Sequence, residues 1–286
     1  MKRLLLTGST GFIGSYFFSK YKTKYKIKTF SFLRDDFYTL DVSDIDVVLH
    51  LSALVHQIGG GEKKEYERVN VIQTLELAKK AKKQGIKQFV FMSTVKVYGE
   101  ETDGVYTEQS ICNPKDEYGR SKLKAELELK KIVDKNFKLT IIRTPVVYGY
   151  GVKGNIRSLI NLVNKMPVLP FANIKNRRSM VYVGNLCHLV DVVIEQNKPG
   201  VFLASDDESL STTKIIQLIA KNLNKKIYLL KVPFFKRALK VIKPSFYKRL
   251  YESLEVDNTY TRESLGLVNS YSVDQGFKLM IKGEFF

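Results

Sequence analysis

The stretch Leu4-Leu5-Leu6-Thr7-Gly8-Ser9-Thr10-Gly11-Phe12-Ile13-Gly14 decides how the chain folds. A short apolar run of strand type leads into a glycine-rich turn, and the turn opens a segment with helical patterning from Phe12 to Lys20. Glycine is required where the backbone turns tightly and where a pyrophosphate must come up against main-chain N–H groups. A further glycine at the start of the helix lets it pack close to the strand. The spacing Gly8-x-x-Gly11-x-x-Gly14 departs from the commoner Gly-x-Gly-x-x-Gly. A glycine triplet alone is weak evidence. Between a strand and a helix it predicts a dinucleotide loop, with Gly8, Thr10, Gly11, Phe12, Ile13 and Gly14 around the phosphates.

Downstream the pattern repeats. Ile27–Phe32, Asp46–Leu51, Gln88–Met92 and Leu139–Ile142 read as strands, Val69–Lys83 and Glu117–Val133 as helices. Strand and helix in turn predict an α/β fold: a Rossmann-type, doubly wound parallel sheet with helices on both faces and a smaller C-terminal substrate-binding lobe. After residue 150 the order is less regular. Short strands are expected at Val181–Tyr182 and Val201–Leu203, and a helix opened by a Ser/Thr cap over Ser211–Asn222. The expected division gives 1–150 with about 178–205 to the cofactor half, and about 151–177 with 206–286 to the substrate lobe.

With 44% hydrophobic and 27% charged residues, the 286-residue chain can bury a sizeable core and is not a disordered chain. Lys and Arg number 47 against 29 Asp and Glu, a net charge of +18. Such a balance admits nucleic acid, an anionic membrane surface or a small phosphorylated ligand. The charge is spread along the chain with Lys preferred over Arg, which favours a simple lysine-rich composition. Cys112 and Cys187 have no Cys or His at metal-ligand spacing, so neither a metal site nor a disulfide is expected. The N-terminal apolar run is too short for a signal segment and no run is long enough to span a bilayer, so a cytoplasmic location is expected.

Tyr118 and Lys122 stand four residues apart and share one face of a helix. A hydride leaves or joins a carbinol carbon only if the hydroxyl proton moves too, a task suited to a tyrosinate. Free Tyr has a pKa of about 10, and a neighbouring ammonium lowers it. The pair alone is common on helix surfaces. The glycine loop and the Ser93-Thr94 segment turn it into a candidate acid–base site.

The glycine loop and Tyr118-Gly119-Arg120-Ser121-Lys122 together resemble the extended short-chain dehydrogenase/reductases, also called the NAD-dependent epimerase/dehydratase family. The likeness continues in order through His50-Leu51-Ser52-Ala53, Ser93-Thr94-Val95-Lys96-Val97-Tyr98-Gly99, Arg143-Thr144-Pro145-Val146-Val147-Tyr148-Gly149 and Arg178-Ser179-Met180-Val181-Tyr182-Val183-Gly184-Asn185. The resemblance implies an NAD(P)-dependent enzyme acting at C4 of a nucleotide-sugar. It makes Tyr118 the acid–base, Lys122 its partner and a ligand of the nicotinamide ribose, and Thr94 the hydroxyl that orients the reacting oxygen, with Ser93 as fallback. It places Leu51, Ser52, Ala53, Ser93 and Pro145 beside the cofactor, and Asp41 and Val42 at the adenine edge.

Relatives that prefer NAD carry a carboxylate at the end of the second strand for the ribose 2′-OH. Here that position falls at Ser31 or Phe32, and Arg34 follows, a residue type that accommodates a 2′-phosphate. NADP(H) is therefore expected first and NAD second, Asp35 or Asp36 then supplying the carboxylate through a register shift. Dehydratases of the family follow the catalytic Thr with Asp-Glu. Val95 and Lys96 stand there in this chain, which disfavours dehydration. Gly151-Val152-Lys153-Gly154-Asn155 and the segment 176–185 resemble a bacterial UDP-glucose 4-epimerase-like subgroup. That subgroup includes reductases making UDP-N-acetyl-quinovosamine or -fucosamine for surface polysaccharides. Reduction of a UDP-4-keto-6-deoxy-N-acetylhexosamine is the first expectation. A UDP-sugar 4-epimerase with tightly bound NAD is the second, and a non-catalytic NADP-sensing or RNA-binding relative a remote third.

On the substrate side the resemblance assigns Arg178 to the diphosphate, Thr94, Lys96, Lys153 and Asn155 to the sugar or phosphate, and Asp257 to the uridine end. Asn185 stands where Asp is usual, and Leu254 where some 4-epimerases have Arg. His56 matches a family His with either a structural or a substrate-contacting role. A homodimer through the helix that carries Tyr118 is also implied. From Lys221 to Leu250 there are 10 Lys and Arg and no Asp or Glu, with Phe234, Phe235, Leu239 and Ile242 interleaved. This stretch reads first as a cationic outer face and second as a weak peripheral contact with anionic lipid. No nucleic-acid partner is expected.

Overall fold

The computed structural model describes residues 1–55 and 62–283, so His56 lies outside the described residues. The first half runs β1 (Arg3–Thr7), α1 (Phe12–Tyr21), β2 (Lys26–Phe30), β3 (Val47–His50), α2 (Lys63–Tyr66), a π-helical segment (Glu67–Ile72), α3 (Gln73–Lys83), β4 (Gln88–Thr94), α4 (Glu117–Lys131) and β5 (Lys138–Thr144). It continues through β6 (Val146–Tyr148), α5 (Gly154–Lys165), β7 (Val168–Leu169), β8 (Met180–Tyr182), α6 (Val183–Glu195) and β9 (Gly200–Leu203). The C-terminal part adds α7 (Thr212–Asn222), β10 (Tyr228–Leu229), α8 (Phe235–Ile242), α9 (Pro244–Tyr251), α10 (Thr259–Leu265) and α11 (Val273–Lys282).

The main sheet has six strands in the order β2-β1-β3-β4-β5-β9, every pair parallel. Alternation along each strand builds two cores. Leu4, Leu6, Val47, Leu49, Val90 and Met92 face α1 and α6, while Leu5, Val48, Phe89 and Phe91 face α3 and α4. A strand covered on both faces reads as a continuous apolar run, which is why β3 and β4 are buried along their whole length. After β1 the chain adds β2 on one side and β3 on the other. The direction of winding therefore reverses between β1 and β3, and their C-terminal ends frame the crevice where this architecture holds ligands. Two smaller sheets, β6 with β8 and β7 with β10, lie outside it.

Local chemistry fixes the helix starts. Ser211 accepts a hydrogen bond from the Lys214 amide, the cap anticipated for α7, and Asp116 does the same for α4 through the Gly119 amide at 2.7 Å. The helix expected over Val69–Lys83 begins earlier and is not uniform, passing through the π-helical segment. Helices α5, α6 and α8 to α11 have no counterpart in the sequence reading. Nearly all of α6 is buried, so it presents no polar stripe to mark its period. Among the described residues no helix is long and apolar enough to cross a membrane.

Candidate active site

The glycine loop is built as its spacing demands. Gly8 lies in the left-handed region at φ +72°, and a Cβ there would stand 2.9 Å from the Leu51 carbonyl carbon. A Cβ on Gly14 would come within 2.1 Å of the Gly8 carbonyl oxygen, a distance that backbone cannot yield. The first turn of α1 thus presses directly on the loop. Gly11 caps that helix without any side-chain bond, leaving the first amides free to meet an anion, with the positive end of the helix dipole behind them. Leu51-Ser52-Ala53 lies against Gly8, tied by the Ser52 amide donating to Thr7 Oγ1 at 3.2 Å. A narrow, side-chain-free cradle over a helix N-terminus fits a dinucleotide pyrophosphate.

At the end of β2, Ser31 and Arg34 occupy the expected positions, but Asp35 is folded back beside them. The Ser31 amide donates to Asp35 Oδ2 at 2.8 Å, and the Asp35 amide donates to the Ser31 carbonyl at 2.9 Å. The strand end that lacks an acidic residue in sequence therefore has a carboxylate in space. Asp41 is exposed and bonded to the Ser43 amide, while the Val42 amide already donates to Gln84 Oε1 at 3.0 Å.

Thr94 ends β4, and α4, which carries Tyr118 and Lys122, reaches that strand end through Lys122. Asp116 starts α4, so Tyr118 sits in its first turn, half-buried, with the Tyr66 ring centroid 6.4 Å away. Lys122 is buried, donates to the Met92 carbonyl at 2.7 Å and lies 4.3 Å over the Phe91 ring. Burial pushes its pKa down to about 7, against the opposing pull of Glu126. The expectation that Lys122 lowers the pKa of Tyr118 needs correction for the free chain. Burial first, then Asp116 and Tyr66, hold the phenol above its ordinary value, because the Lys122 ammonium is turned to Met92. His50, the register partner of Phe91 on β3, stacks on that ring and is kept neutral by burial and by Lys122, its pKa pushed down to about 3. It is bonded to Thr7 and Thr74 at 2.8 and 3.0 Å.

The depressed lysine makes stability pH-dependent. Between about pH 7 and the ordinary lysine value the unfolded chain binds the proton that the folded chain has lost, so stability rises with pH across that window. Relative to a Lys122→Met variant, the wild type is expected to gain about 2 kcal/mol between pH 7 and 9 in urea unfolding. Parallel curves for the two proteins would refute the assignment.

Asn70, which the sequence reading passed over, lies in the π-helical segment and is fully buried. It accepts from the Leu54 amide at 2.8 Å and donates to the Leu54 carbonyl and to Ser121 Oγ, pinning the loop after β3 to the helix carrying Tyr118. A π turn within a helix is itself a common mark of a functional site. Ser93 faces away from Thr94, and its hydroxyl donates to Glu126 in the core, which removes it from the cofactor side. Pro145 is buried at the junction of β5 and β6.

A second recess, of about 350 Å³, opens between α5, α7 and α9, and Arg178, Asn155 and Arg249 line it with mainly apolar neighbours. Arg178 donates to the Glu252 carbonyl at 2.9 Å, and Arg249 to Asn155 Oδ1 at 3.0 Å. Burial draws the Arg178 pKa below its usual value; Glu252 opposes this and Arg249 adds to it. Arg249 was not anticipated, because it sits in the basic stretch read as surface. The structure does not bring Lys153, Lys96 or Asp257 to this recess. Lys153 is exposed at the start of α5, Lys96 pairs with Asp116 and Glu100, and Asp257 accepts from Thr259 at the start of α10. Asn185 has a structural reason to be an amide. It accepts from the Tyr271 amide and donates to Asp206 and to the Tyr271 carbonyl, and a carboxylate could not make those two donations.

Residues 4–204 match the family model described as NAD dependent epimerase/dehydratase family. The chain belongs to that family. It is 35% identical to a UDP-glucose 4-epimerase of Vibrio cholerae, with 97% of this chain and 94% of the relative covered. It is 25% identical to the N-acetyl-alpha-D-glucosaminyl-diphospho-ditrans,octacis-undecaprenol 4-epimerase of Escherichia coli O157:H7, over 99% and 95% of the two chains. Among solved structures, a UDP-N-acetylglucosamine 4-epimerase from Bacillus cereus superposes with a TM-score of 0.81 at 21% identity, covering 99% of both chains, a likeness of fold. As a member of this family the chain is an enzyme, and the Rossmann architecture expected from its glycine loop is the one observed.

Proposed function

We propose that the chain is a UDP-sugar 4-epimerase that retains NAD. The observation that carries this reading is Asp35. Its carboxylate returns to the end of β2, where an NAD enzyme grips the ribose 2′-OH and where a 2′-phosphate would be repelled. The reductase expectation rested on a subgroup resemblance together with the lack of such a carboxylate, and the full-length likeness to the Vibrio cholerae 4-epimerase favours the same change of reading. Residues 1–150 with 178–205 form the cofactor half of this proposal, and Arg178, Arg249 and Asn155 the diphosphate end of the substrate half. Two cations held close together in a mainly apolar recess are relieved by a dianion.

In this reading Tyr118 takes the proton of the C4 hydroxyl while Thr94 holds that oxygen by a hydrogen bond. When bound, the nicotinamide ring supplies a hydride acceptor and then a donor. Lys122 would hold the nicotinamide ribose and stabilise the Tyr118 phenolate. Tyr118 would give the proton back to the C4 oxygen as the carbonyl is reduced from its opposite face, so that C4 is inverted. The free lysine's lowered pKa and the free tyrosine's raised one describe the resting chain; an added positive charge beside Tyr118 reverses the second. Exposed Ile72 and Leu127, on the helical segment leading into α3 and on α4, support a homodimer through this face.

The test is conversion of UDP-glucose or UDP-N-acetylglucosamine to its 4-epimer by purified protein with no added cofactor, followed by proton NMR. Epimer formation supports the proposal. Inactivity on both, with consumption of NADPH in the presence of UDP-4-keto-6-deoxy-N-acetylglucosamine, overturns it in favour of the reductase. An Asp35→Asn variant is expected to weaken NADH binding by about 10- to 100-fold, the range of a hydrogen bond to a charged group, and NADPH binding much less. Fluorescence titration of stripped protein reads both.

A further inference from the structure

We propose that the face formed by residues 230–243 is a docking surface for an anionic lipid bilayer. Its centre is α8, Phe235-Lys236-Arg237-Ala238-Leu239-Lys240-Val241-Ile242. Phe235 and Leu239 pack partly on the core, and no residue of the helix is fully buried. Val241 and Ile242 are 82% and 73% exposed, and Phe234 just before them is 75% exposed. Phe234 also holds a left-handed backbone at φ +60°, which turns the chain sharply into the helix. A single exposed aliphatic is ordinary, but three large ones within one short segment are not.

The charges of the segment itself are of one sign. Among the described residues, Lys231, Lys236, Arg237, Lys240 and Lys243 make no ion pair, whereas the flanking Lys221 and Lys248 pair with Asp274 and Glu101. Lys236 and Arg237 line, with Lys231 and Lys175, a recess of about 720 Å³ between this segment and residues 172–176. The surface therefore combines a positive field, a recess lined by four cations and wide enough for a phosphate headgroup, and apolar side chains at its edge.

Three classes of partner could meet a positive face, and the composition separates them. A nucleic-acid backbone offers nothing to Val241 and Ile242, which gain only in a hydrocarbon environment. A protein interface enriches Arg and depletes Lys, yet four of the five unpaired cations here are Lys. Lys heads with long apolar stems beside Phe, Val and Ile suit the boundary between headgroups and acyl chains, where each Lys near an anionic surface strengthens partition by about fivefold. The next helix, α9, contributes Phe246, Arg249 and Leu250 to the recess that holds Arg178. Docking through α8 thus brings the substrate recess within one helix of the membrane, independently of which reaction the site performs.

The experiment is co-sedimentation of the full chain with vesicles of phosphatidylcholine alone and of an equal mixture with phosphatidylglycerol, at about 0.1 M and about 0.5 M salt. Partition is expected to be at least tenfold stronger on the anionic vesicles and to fall with salt. The paired substitution Val241→Asp with Ile242→Asp is expected to reduce it at least tenfold while the circular dichroism spectrum is unchanged. Lys240→Glu with Lys243→Glu should do the same, so that a folding defect in one variant leaves the other informative. Equal partition on neutral and anionic vesicles overturns the proposal. So does binding that is indifferent to Val241 and Ile242, and so does displacement from the vesicles by polyuridylate at matched charge, which would make the face a nucleic-acid site.

Discussion

Tyr118→Phe is expected to lower turnover by about 10²- to 10⁴-fold, the range that a positioned acid–base group supplies, with little change in stability or in the affinity for the sugar nucleotide. The ring is half-buried and, among the described residues, its hydroxyl makes no hydrogen bond that holds the fold together, so Phe fills the same space. On the proposed reading, what is lost is the group that moves the C4 proton, and without that movement the hydride has no stable carbonyl to leave behind. The pH profile separates this role from a structural one. In the free chain the phenol is held above its usual pKa by burial, with Asp116 and Tyr66 adding to it, so the base form is scarce at neutral pH. Turnover limited by that form rises with pH, and its midpoint in the complex must lie below that of the free protein if Lys122 turns toward the phenol. A Tyr118→Phe protein with more than a tenth of wild-type turnover would remove Tyr118 from the chemistry. Turnover of the wild type that is flat from pH 6 to 9 would leave its protonation out of the rate-limiting step.

Much of this was open to inspection in the chain before folding was considered. The glycine loop, the six strands of the main sheet and the Tyr118–Lys122 pair are local signals: a turn chemistry, an apolar run, a spacing along one helix. What could not be read was set by distance in space. Asp35 lies a few residues past the position where a carboxylate is expected, and only the turn that brings its side chain to the Ser31 amide shows that a carboxylate stands at the strand end. Arg249 joins Arg178 across 71 residues of sequence, as the arithmetic of their numbers shows, and a run of lysines around it made it resemble plain surface. Asn70 is one polar residue within an otherwise ordinary helical pattern, and its meaning rests on Leu54 and Ser121. The segment Ser93-Thr94 was legible as a motif, but two adjacent strand residues point to opposite faces. Only one of them can face the site, and the core has taken the other.

That core contact carries the largest expected stability effect. Glu126 on α4 accepts from Arg143 Nη2 at 2.5 Å and Nε at 3.1 Å, and from Ser93 Oγ at 2.5 Å, all three residues buried. Arg143 completes its set by donating to the Tyr98 hydroxyl at 2.7 Å and lies 4.8 Å over that ring. Burial works against the guanidinium, yet the bonds and charge of Glu126 hold its pKa above the ordinary arginine value. Glu126→Ala deletes the countercharge and leaves a buried cation with one neutral acceptor and a serine hydroxyl with none. The expected loss is about 3–5 kcal/mol, a fall in Tm on the order of 10 °C for a chain of this size. Glu126→Gln keeps the bonds to the serine and one guanidinium nitrogen and is expected to lose less. The double change Glu126→Met with Arg143→Met removes both charges together and should recover most of the stability, since a buried ion pair adds little over apolar side chains of similar volume. If Glu126→Ala and the double variant unfold at the same temperature, the pair acts through packing alone. If Glu126→Ala loses turnover in proportion to stability across a temperature series, its effect on Thr94 is carried by the fold of β4 and not by a contact within the site.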